Sequence, residues 1–414
     1  MASKPNIILI LADDLGYECL GCYGSQTYKT PNLDRLAETG VRFDHAYSLP
    51  LCTPTRLQMM TGKYNFRNWR AFGVIDPDEK TFGHYMSDIG YKTCISGKWQ
   101  MYSYNPPDYE PEWRGKGQRA EDAGFDEYCL WHTEHTEDKG SRYADPVIQQ
   151  NSTYLTHTEG KYGPDIYTDY INDFIERNKD EPFFVYYPMA LTHGPFQPTP
   201  NSEIWSQNRH DNGVQYFKDM VEYMDVVIGR IVDKLDELNL RENTLILFLG
   251  DNGSPRQVTS RCNGQGIQGG KGLSTDAGTL VPLIANWTGT AAEGIACDDL
   301  VDCSDFLPSM FELAGESLPK DDIFDGQSFL PQIKGEAGTP REWIFAHHDP
   351  LPGHGKDAYT LQRWAQDKRW KLYETGELFD VQADVLEQNP ITDGGPEAEA
   401  ARQKLQPVID RMHV

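Results

Sequence analysis

The stretch NIILILADD, residues 6–14, decides the fold of this chain. Its first seven residues are almost wholly apolar, and a run of that length suits a strand that is buried on both faces. Such strands are typical of parallel sheets, which bind their ligands beyond the carboxyl ends of the strands. The stretch therefore predicts a strand over residues 6–12 that delivers Asp13 and Asp14 to a functional edge of a sheet.

Similar apolar runs recur along the chain, at residues 91–96, 182–189, 244–249 and 280–285. Helical patterns with apolar residues at intervals of three and four lie between them, most clearly at residues 30–39, 165–179 and 217–238. This alternation predicts an α/β fold with a large, mainly parallel central sheet that is flanked by helices.

The pattern changes near residue 340. Short strand-like pieces follow at residues 342–346, 370–374 and 377–381, and a polar helix begins at about Gly395. We expect a catalytic domain over residues 1–339 and a small C-terminal antiparallel α+β subdomain over residues 340–414. Residues 106–161 are rich in Gly, Pro, His, Trp and charge, which predicts long loops that face the substrate.

Composition narrows the class of protein. The chain has 414 residues, a net charge of −25 and a pI near 4.8, so nucleic acid and anionic membrane surfaces are not expected partners. No stretch approaches the roughly eighteen apolar residues that span a membrane. We expect a periplasmic or secreted protein if a leader precedes this sequence, and a cytoplasmic one otherwise; the sequence does not predict an oligomeric state.

A second acidic segment follows a predicted strand. Asp251 and Asn252 come directly after the apolar run at residues 244–249, and the ends of parallel strands meet at one edge of a sheet. With Asp13 and Asp14 they provide a set of oxygen ligands that suits calcium or magnesium and is poor for zinc. The sequence therefore predicts a divalent cation site.

The third motif is CTPTR, residues 52–56. Pro54 is tolerated only in the first turn of a helix, so Cys52 is predicted to lie at or just before a helix N-terminus. Free amides and the helix dipole favour an anion there. The pattern C-x-P-x-R is also the signal for oxidation of the cysteine to formylglycine.

Residues 4 to about 389 resemble the formylglycine-dependent sulfatases of the alkaline phosphatase superfamily. The motifs that carry the resemblance are the segments at residues 5–14, 52–62, 97–99, 193–196, 251–253, 269–272 and 281–283. The resemblance implies an alkaline-phosphatase-like fold with a large mixed sheet, and hydrolysis of sulfate monoesters.

The resemblance also implies roles for single residues. The cation, usually calcium with magnesium as the alternative, would be held by Asp13, Asp14, Asp251, Asn252 and an oxygen of modified Cys52. The residues that would surround the nucleophile and sulfate, and act in catalysis with Cys52, are Arg56, Lys98, His193 and Lys271. Substrate contacts are expected from Lys98, His193, Lys271 and Gln100, and maturation would need a formylglycine-generating enzyme.

Gln100 departs from the family pattern, because sulfatases typically carry a histidine two positions after the lysine of Gly-Lys-Trp. Glutamine can donate and accept hydrogen bonds but cannot take up a proton near neutral pH. We therefore expect a slower or differently assisted release of sulfate, or rescue by another base, with Asp251, His132 and His135 as candidates.

The substrate beyond its sulfate is expected to be a sulfated small molecule or polysaccharide, first a carbohydrate and next a simple aryl or alkyl sulfate. Aromatic and basic residues that could contact a sugar are Tyr102, Trp113, Arg114, Trp131, His132, His347 and His348. Two alternatives stay open: a phosphonate or phosphate ester hydrolase of the same superfamily, and a catalytically silent sulfate-binding relative.

Overall fold

The computed structural model describes residues 4–392 and 395–412. Residues 1–3 of the predicted catalytic domain, and residues 393–394 and 413–414 of the predicted subdomain, lie outside the described residues. The strands are β1 (Asn6–Ala12), β2 (Val41–Tyr47), β3 (Lys92–Lys98), β4 (Glu127–Trp131), β5 (Gln149–Gln150), β6 (Thr153–Tyr154), β7 (Phe183–Pro188), β8 (Thr244–Gly250), β9 (Thr259–Cys262), β10 (Gln265–Gln268), β11 (Leu283–Asn286), β12 (Ile295–Asp302), β13 (Ile344–His348), β14 (Gln362–Gln366), β15 (Trp370–Tyr373) and β16 (Leu378–Asp380). The α-helices are α1 (Pro31–Glu38), α2 (Cys52–Thr61), α3 (Phe82–Asp88), α4 (Gly163–Arg177), α5 (Trp205–Asn208), α6 (Tyr216–Glu237), α7 (Asp276–Thr279), α8 (Phe306–Leu313), α9 (Leu330–Ile333) and α10 (Gly395–Arg411).

A ten-stranded sheet forms the centre of the molecule, in the order β12-β2-β11-β8-β1-β7-β3-β4-β5-β6. Its middle is parallel, since β1 pairs in parallel with β7 and β8, and β3 with β7 and β4. The strand β11 runs antiparallel between β8 and β2. The predicted α/β class, with a large mixed and mainly parallel sheet, is confirmed.

Helices cover both faces of this sheet. Successive side chains of β1 point to opposite faces, so Ile7 and Leu9 enter one hydrophobic core while Ile8 and Ile10 enter the other. The first core includes apolar residues of α2, α3 and α8, and the second includes those of α1, α4 and α6. Two apolar layers explain why the run at residues 6–12 has no polar face.

A second sheet near the C-terminus is antiparallel, in the order β13-β14-β15-β16. Helix α10 packs on β14 and β15. Buried Arg341 precedes β13 and donates to both carboxylate oxygens of Asp305, with Nε at 2.8 and 2.7 Å, which ties this region to the segment before α8. The predicted small antiparallel α+β unit is confirmed, and the division at residues 339 and 340 stays a prediction.

Several predicted elements differ from those observed. The prediction of loops over residues 106–161 is wrong at Glu127–Trp131, Gln149–Gln150 and Thr153–Tyr154, which form β4, β5 and β6 of the central sheet. The strands β2, β12 and β14 were not predicted, because polar residues interrupt their apolar pattern. No helix within the described residues is long and apolar enough to cross a membrane.

Candidate active site

The register of the parallel strands brings the ends of β1 and β8 side by side. Ala12 pairs with Gly250, so the residues that follow them, Asp13 and Asp251, leave the sheet together. The Asp251 amide donates to the Ala12 carbonyl at 2.9 Å and fixes this geometry. The structure therefore places the two predicted acidic segments at one edge of the sheet.

Four oxygen-bearing side chains form a buried cluster at this edge: Asp13, Asp14, Asp251 and Asn252. The Asn252 side-chain amide donates to Asp14 Oδ1 at 2.9 Å, and the Asp14 backbone amide donates to Asp251 Oδ1 at 3.0 Å. The Oδ1 atoms of Asp13 and Asn252 are buried and accept no hydrogen bond from any described residue. Because buried polar atoms are normally satisfied, these two oxygens fit a bound hard cation.

Helix α2 places Cys52 against this cluster. Cys52 is its first residue and Pro54 lies in its first turn, in agreement with the sequence pattern. The Cys52 sulfur, a carboxylate oxygen of Asp13 and one of Asp251 all lie within 4.8 Å of one another. Arg56 follows one helical turn later, on the same face, and its Nε and Nη2 donate to Asp251 Oδ2 at 3.1 and 3.0 Å.

Lys98 is the last residue of β3 and joins Cys52 to the carboxylates. Its Nζ donates to Asp13 Oδ2 at 2.7 Å and lies 3.6 Å from Cys52 Sγ. The preceding Gly97 has φ +135°, and a Cβ there would lie 2.1 Å from the Pro188 carbonyl oxygen. Only glycine therefore lets β3 run beside β7 as far as Lys98.

Lys271 and His193 lie at the mouth of the cluster. Lys271 Nζ donates to Asp14 Oδ2 at 2.6 Å, and His193 Nε2 lies 3.7 Å from the same oxygen. His193 Nδ1 lies 2.7 Å from the Gly194 carbonyl, so Nδ1 carries a hydrogen. The side chains of His193 and Lys271 are 28% and 22% exposed, against 1% for Lys98. The cluster is therefore open to solvent on the side of His193 and Lys271.

Gln100 lies two residues beyond Lys98 in a left-handed conformation, with φ +57° and 8% exposure. Its backbone amide donates to the His132 carbonyl at 3.0 Å. The His132 ring is buried, and burial followed by repulsion from neighbouring cations lowers its pKa well below the ordinary value. His135 Nδ1 instead contacts Ser103 Oγ at 2.8 Å. The charge of Lys98 is among those that act on the His132 ring.

The charges of the cluster are strongly coupled. Burial alone would raise the pKa of Asp13, but Lys98 and other cations hold it well below its ordinary value. Burial and repulsion from Asp13 raise the pKa of Asp251 to about 7 despite Arg56. Burial and repulsion from a nearby lysine lower the pKa of His193 to about 3, so its ring is neutral at neutral pH. A divalent cation would relieve the repulsion among the carboxylates.

Two basic residues of this region were missed by sequence reasoning, Arg142 and Lys356. The Arg142 guanidinium lies over the Trp131 ring, 3.9 Å from its centroid. Its buried Nη1 is 3.9 Å from Asp13 Oδ2 and donates a hydrogen bond to none of the described residues. The charge of Lys356 interacts with Cys52. Neither residue lies in a recognisable motif, and only the assignment of residues 106–161 to the substrate side pointed toward Arg142.

The aromatic and basic residues predicted to contact a sugar lie in different environments. Trp131 ends β4, opposite Lys98 in the strand register. His347 and His348 are buried on β13, and Arg114 forms an ion pair with Glu137. The remaining loop residues are half-buried Tyr102, over which the Arg119 guanidinium lies at 4.9 Å from the ring centroid, and half-buried Trp113. Trp131, opposite Lys98, and His132, which follows it, are therefore the members of this set that the strand register places beside the cluster.

Comparison with known proteins agrees with this geometry. The profile of the family described as Sulfatase matches residues 5–316. Human arylsulfatase A is 30% identical over 373 residues, which cover 83% of this chain and 71% of that protein.

Two solved structures are also similar. Ps i-CgsB, solved alone and in complex with k-i-k-neocarrahexaose, has a TM-score of 0.80 and 25% identity, over 99% of this chain and 92% of its own. The phosphonate monoester hydrolase of Agrobacterium radiobacter shares the fold, with a TM-score of 0.72 and 17% identity over 99% of this chain and 96% of its own.

The family profile covers all the elements that build the cluster, from β1 to the segment after β10, and human arylsulfatase A is 30% identical over most of both chains. The chain belongs to the sulfatase family, with its alkaline-phosphatase-like fold, and is a sulfuric ester hydrolase.

Proposed function

We propose that this protein hydrolyses the sulfate monoesters of a carbohydrate, with formylglycine made from Cys52 as the nucleophile and a divalent cation as cofactor. The observation that carries the proposal is the position of Lys98. Its Nζ contacts both Asp13 Oδ2, at 2.7 Å, and Cys52 Sγ, at 3.6 Å. The buried ammonium group of Lys98 thus lies between the nucleophile position and the carboxylates. Attack on an anionic sulfate requires positive charge at that place.

The cation would be held by Asp13, Asp14, Asp251 and Asn252, together with an oxygen of modified Cys52. Calcium fits this set of oxygen atoms, magnesium is the alternative, and the partnerless Oδ1 atoms of Asp13 and Asn252 support the assignment. When bound, the cation would neutralise negative charge on the sulfate and favour deprotonation of a hydroxyl.

Oxidation of Cys52 by a formylglycine-generating enzyme would supply a hydrated aldehyde, with one hydroxyl to attack sulfur and a second to expel sulfate. The chain's own contribution is to hold that residue. The N-terminus of α2 offers free amides to negative charge, and Arg56 is fixed on Asp251 by two hydrogen bonds, one helical turn from Cys52.

Lys98, Lys271, His193 and Gln100 would contact the sulfate. The neutral His193 carries its hydrogen on Nδ1, so it can donate a proton from Nε2 only after that atom is protonated. A bound anionic sulfate beside Nε2 would favour that protonation. Lys98 and His193 are therefore the two candidate donors of a proton to the leaving alcohol.

A sulfated carbohydrate is the proposed substrate class, with aryl or alkyl sulfates next. Ps i-CgsB supports it, because that similar protein was solved in complex with k-i-k-neocarrahexaose. The site itself is open on the side of His193 and Lys271, where a sugar ring could follow its sulfate.

The test uses protein co-expressed with a formylglycine-generating enzyme. Mass spectrometry of the peptide that contains Cys52 should show the defined mass loss of formylglycine. Hydrolysis of an aryl sulfate should exceed that of the matching aryl phosphonate monoester by on the order of 10² in kcat/KM. A preference for the phosphonate would favour a phosphonate hydrolase. An unmodified cysteine without turnover, in protein that still binds the sulfate ester, would favour a silent sulfate-binding relative.

Gln100→His is expected to raise turnover of an aryl sulfate by about tenfold, part of the 10²–10⁴ that a general base typically contributes. Histidine tolerates a left-handed backbone better than most residues, so φ +57° at this position does not oppose the change. The measurement is kcat against pH, in which a new ascending limb should appear on the acidic side, because a general base must be deprotonated to act. Gln100→Asn, which keeps an amide, serves as the control and should show no gain. A large loss of activity in Gln100→His would mean that glutamine belongs to a distinct arrangement of this site.

A further inference from the structure

The loop between β13 and β14, residues 349–361, packs against the active site although it comes from the C-terminal sheet. The Phe72 amide donates to the Pro352 carbonyl at 2.9 Å, and the Trp69 indole donates to the Leu351 carbonyl at 2.7 Å. The His354 amide donates to a side-chain oxygen of the loop over residues 99–126 at 3.1 Å. These bonds fix the loop on two segments that surround Cys52.

The loop extends to the positions of the nucleophile and of one sulfate-binding lysine. The Tyr359 ring packs with Cys52 and Phe72. A Cβ on Gly272, the residue after Lys271, would lie 2.2 Å from the Tyr359 hydroxyl. Tyr359 therefore fills the space between the start of α2 and the Lys271 segment.

Lys356 lies on the same loop and directs its charge toward the site. Its Nζ lies 4.4 Å from the centroid of the Phe72 ring and 5.8 Å from that of Tyr104, a geometry of cation–π contacts. The side chain is half-buried. Burial lowers its pKa, attraction to Cys52 and Asp14 opposes this shift, and repulsion from Lys271 and Lys98 adds to it, so the charge of Lys356 acts on the groups of the site.

Lys356 takes no part in the ion pairs that the described residues form. No carboxylate among residues 4–392 and 395–412 lies within ion-pair distance of its Nζ. The carboxylates of the cluster already have cationic partners: Lys98 for Asp13, Lys271 for Asp14 and Arg56 for Asp251. A cation that is partly desolvated beside other cations is costly unless an anion joins it.

The scissile sulfate does not account for this extra charge. A sulfate monoester carries one negative charge, which Lys98, Lys271 and the proposed cation already meet. We propose that Lys356 binds a second anionic group of the substrate, so that the preferred substrates are sulfated sugars with another sulfate or a carboxylate beside the scissile ester. The inference rests on the proposed function and names the substrate class of the same site.

The test compares Lys356→Met with the wild type on three sugars of the same ring: a monosulfate, a disulfate, and a monosulfate that also carries a carboxylate. The ratio of kcat/KM for the doubly charged sugars over the monosulfate should fall by about 10- to 100-fold, mainly through KM, as expected for loss of a charge-assisted hydrogen bond. The disulfate and the carboxylated sugar tell which second group is preferred.

Lys356→Arg should keep most of the ratio, and Lys320→Met, at an exposed lysine between α8 and α9, should leave it unaltered.

Calorimetric binding of the same sugars in the Cys52→Ala background separates this inference from the proposed function. If Lys356→Met weakens the binding of doubly charged sugars in this background, the inference is supported. An absence of turnover in the wild type would overturn the proposed function but not the inference. An unchanged ratio and unchanged binding in Lys356→Met would overturn the inference, as would equal losses for all three sugars, since Lys356 would then serve only the scissile sulfate or the packing of the loop.

Discussion

Replacing Cys52 with serine is expected to abolish multiple turnover of sulfate esters, with a loss on the order of 10⁴–10⁶ in kcat, the range seen when a nucleophile is removed. Serine has one hydroxyl. It can accept the sulfuryl group but offers no second hydroxyl to expel sulfate, so the enzyme should stop after one cycle. Rapid-quench kinetics should show at most one equivalent of alcohol released, and mass spectrometry should find sulfate on Ser at this position.

The matched control for Cys52→Ser is Cys297→Ser, at a half-buried free cysteine of the edge strand β12. That variant should keep wild-type turnover and formylglycine content. Sustained turnover by Cys52→Ser would contradict the proposed mechanism, because release of sulfate would then need no aldehyde.

The cluster of acidic residues at one edge of the central sheet was predictable from sequence because local patterns determine it. The run at residues 6–12 and that at residues 244–249 are each apolar enough to mark buried parallel strands, and each ends in acidic residues. Parallel register then brings Asp13 and Asp251 together. Cys52 and Arg56 were placed by helical spacing, which is also local.

The strands that were not predicted were missed for a different reason, which is their alternation of apolar and polar residues. In β2, buried Val41 and Phe43 alternate with half-buried Arg42 and Asp44, so a search for continuous apolar runs does not detect it. Only the neighbours β11 and β12, from far along the chain, show that this alternating segment belongs to the central sheet.

Arg142 and Lys356 could not be assigned to the site from sequence because their positions depend on long-range packing. Arg142 reaches Asp13 only through its stacking on Trp131, at the end of a strand that the sequence did not reveal. Lys356 reaches the region of Cys52 because Phe72 holds its loop by a backbone hydrogen bond. Neither contact is marked in the sequence by a periodic pattern or a motif.

Asp13→Asn is the second change with a large expected effect, a loss of about 10³ or more in kcat/KM, since removal of a single stabilising donor alone costs about 10²–10³. Asp13 combines two roles in this site. Its Oδ1 is one of the partnerless oxygens assigned to the cation, and its Oδ2 accepts from Lys98 at 2.7 Å. Asparagine keeps the shape but removes the charge that both contacts need, so bound calcium should also be lost.

Elemental analysis after dialysis should therefore find less than one calcium per chain in Asp13→Asn, and added calcium should restore activity only partly. The matched control is Asp225→Asn, another buried aspartate, whose oxygens accept from Asn32 and Leu33. It should lower thermal stability while it keeps calcium, because it changes a buried charge outside the cluster. If Asp13→Asn retained both calcium and turnover, the cation would have to be held without Asp13, and the assignment of Asp14, Asp251 and Asn252 as its partners would fail with it.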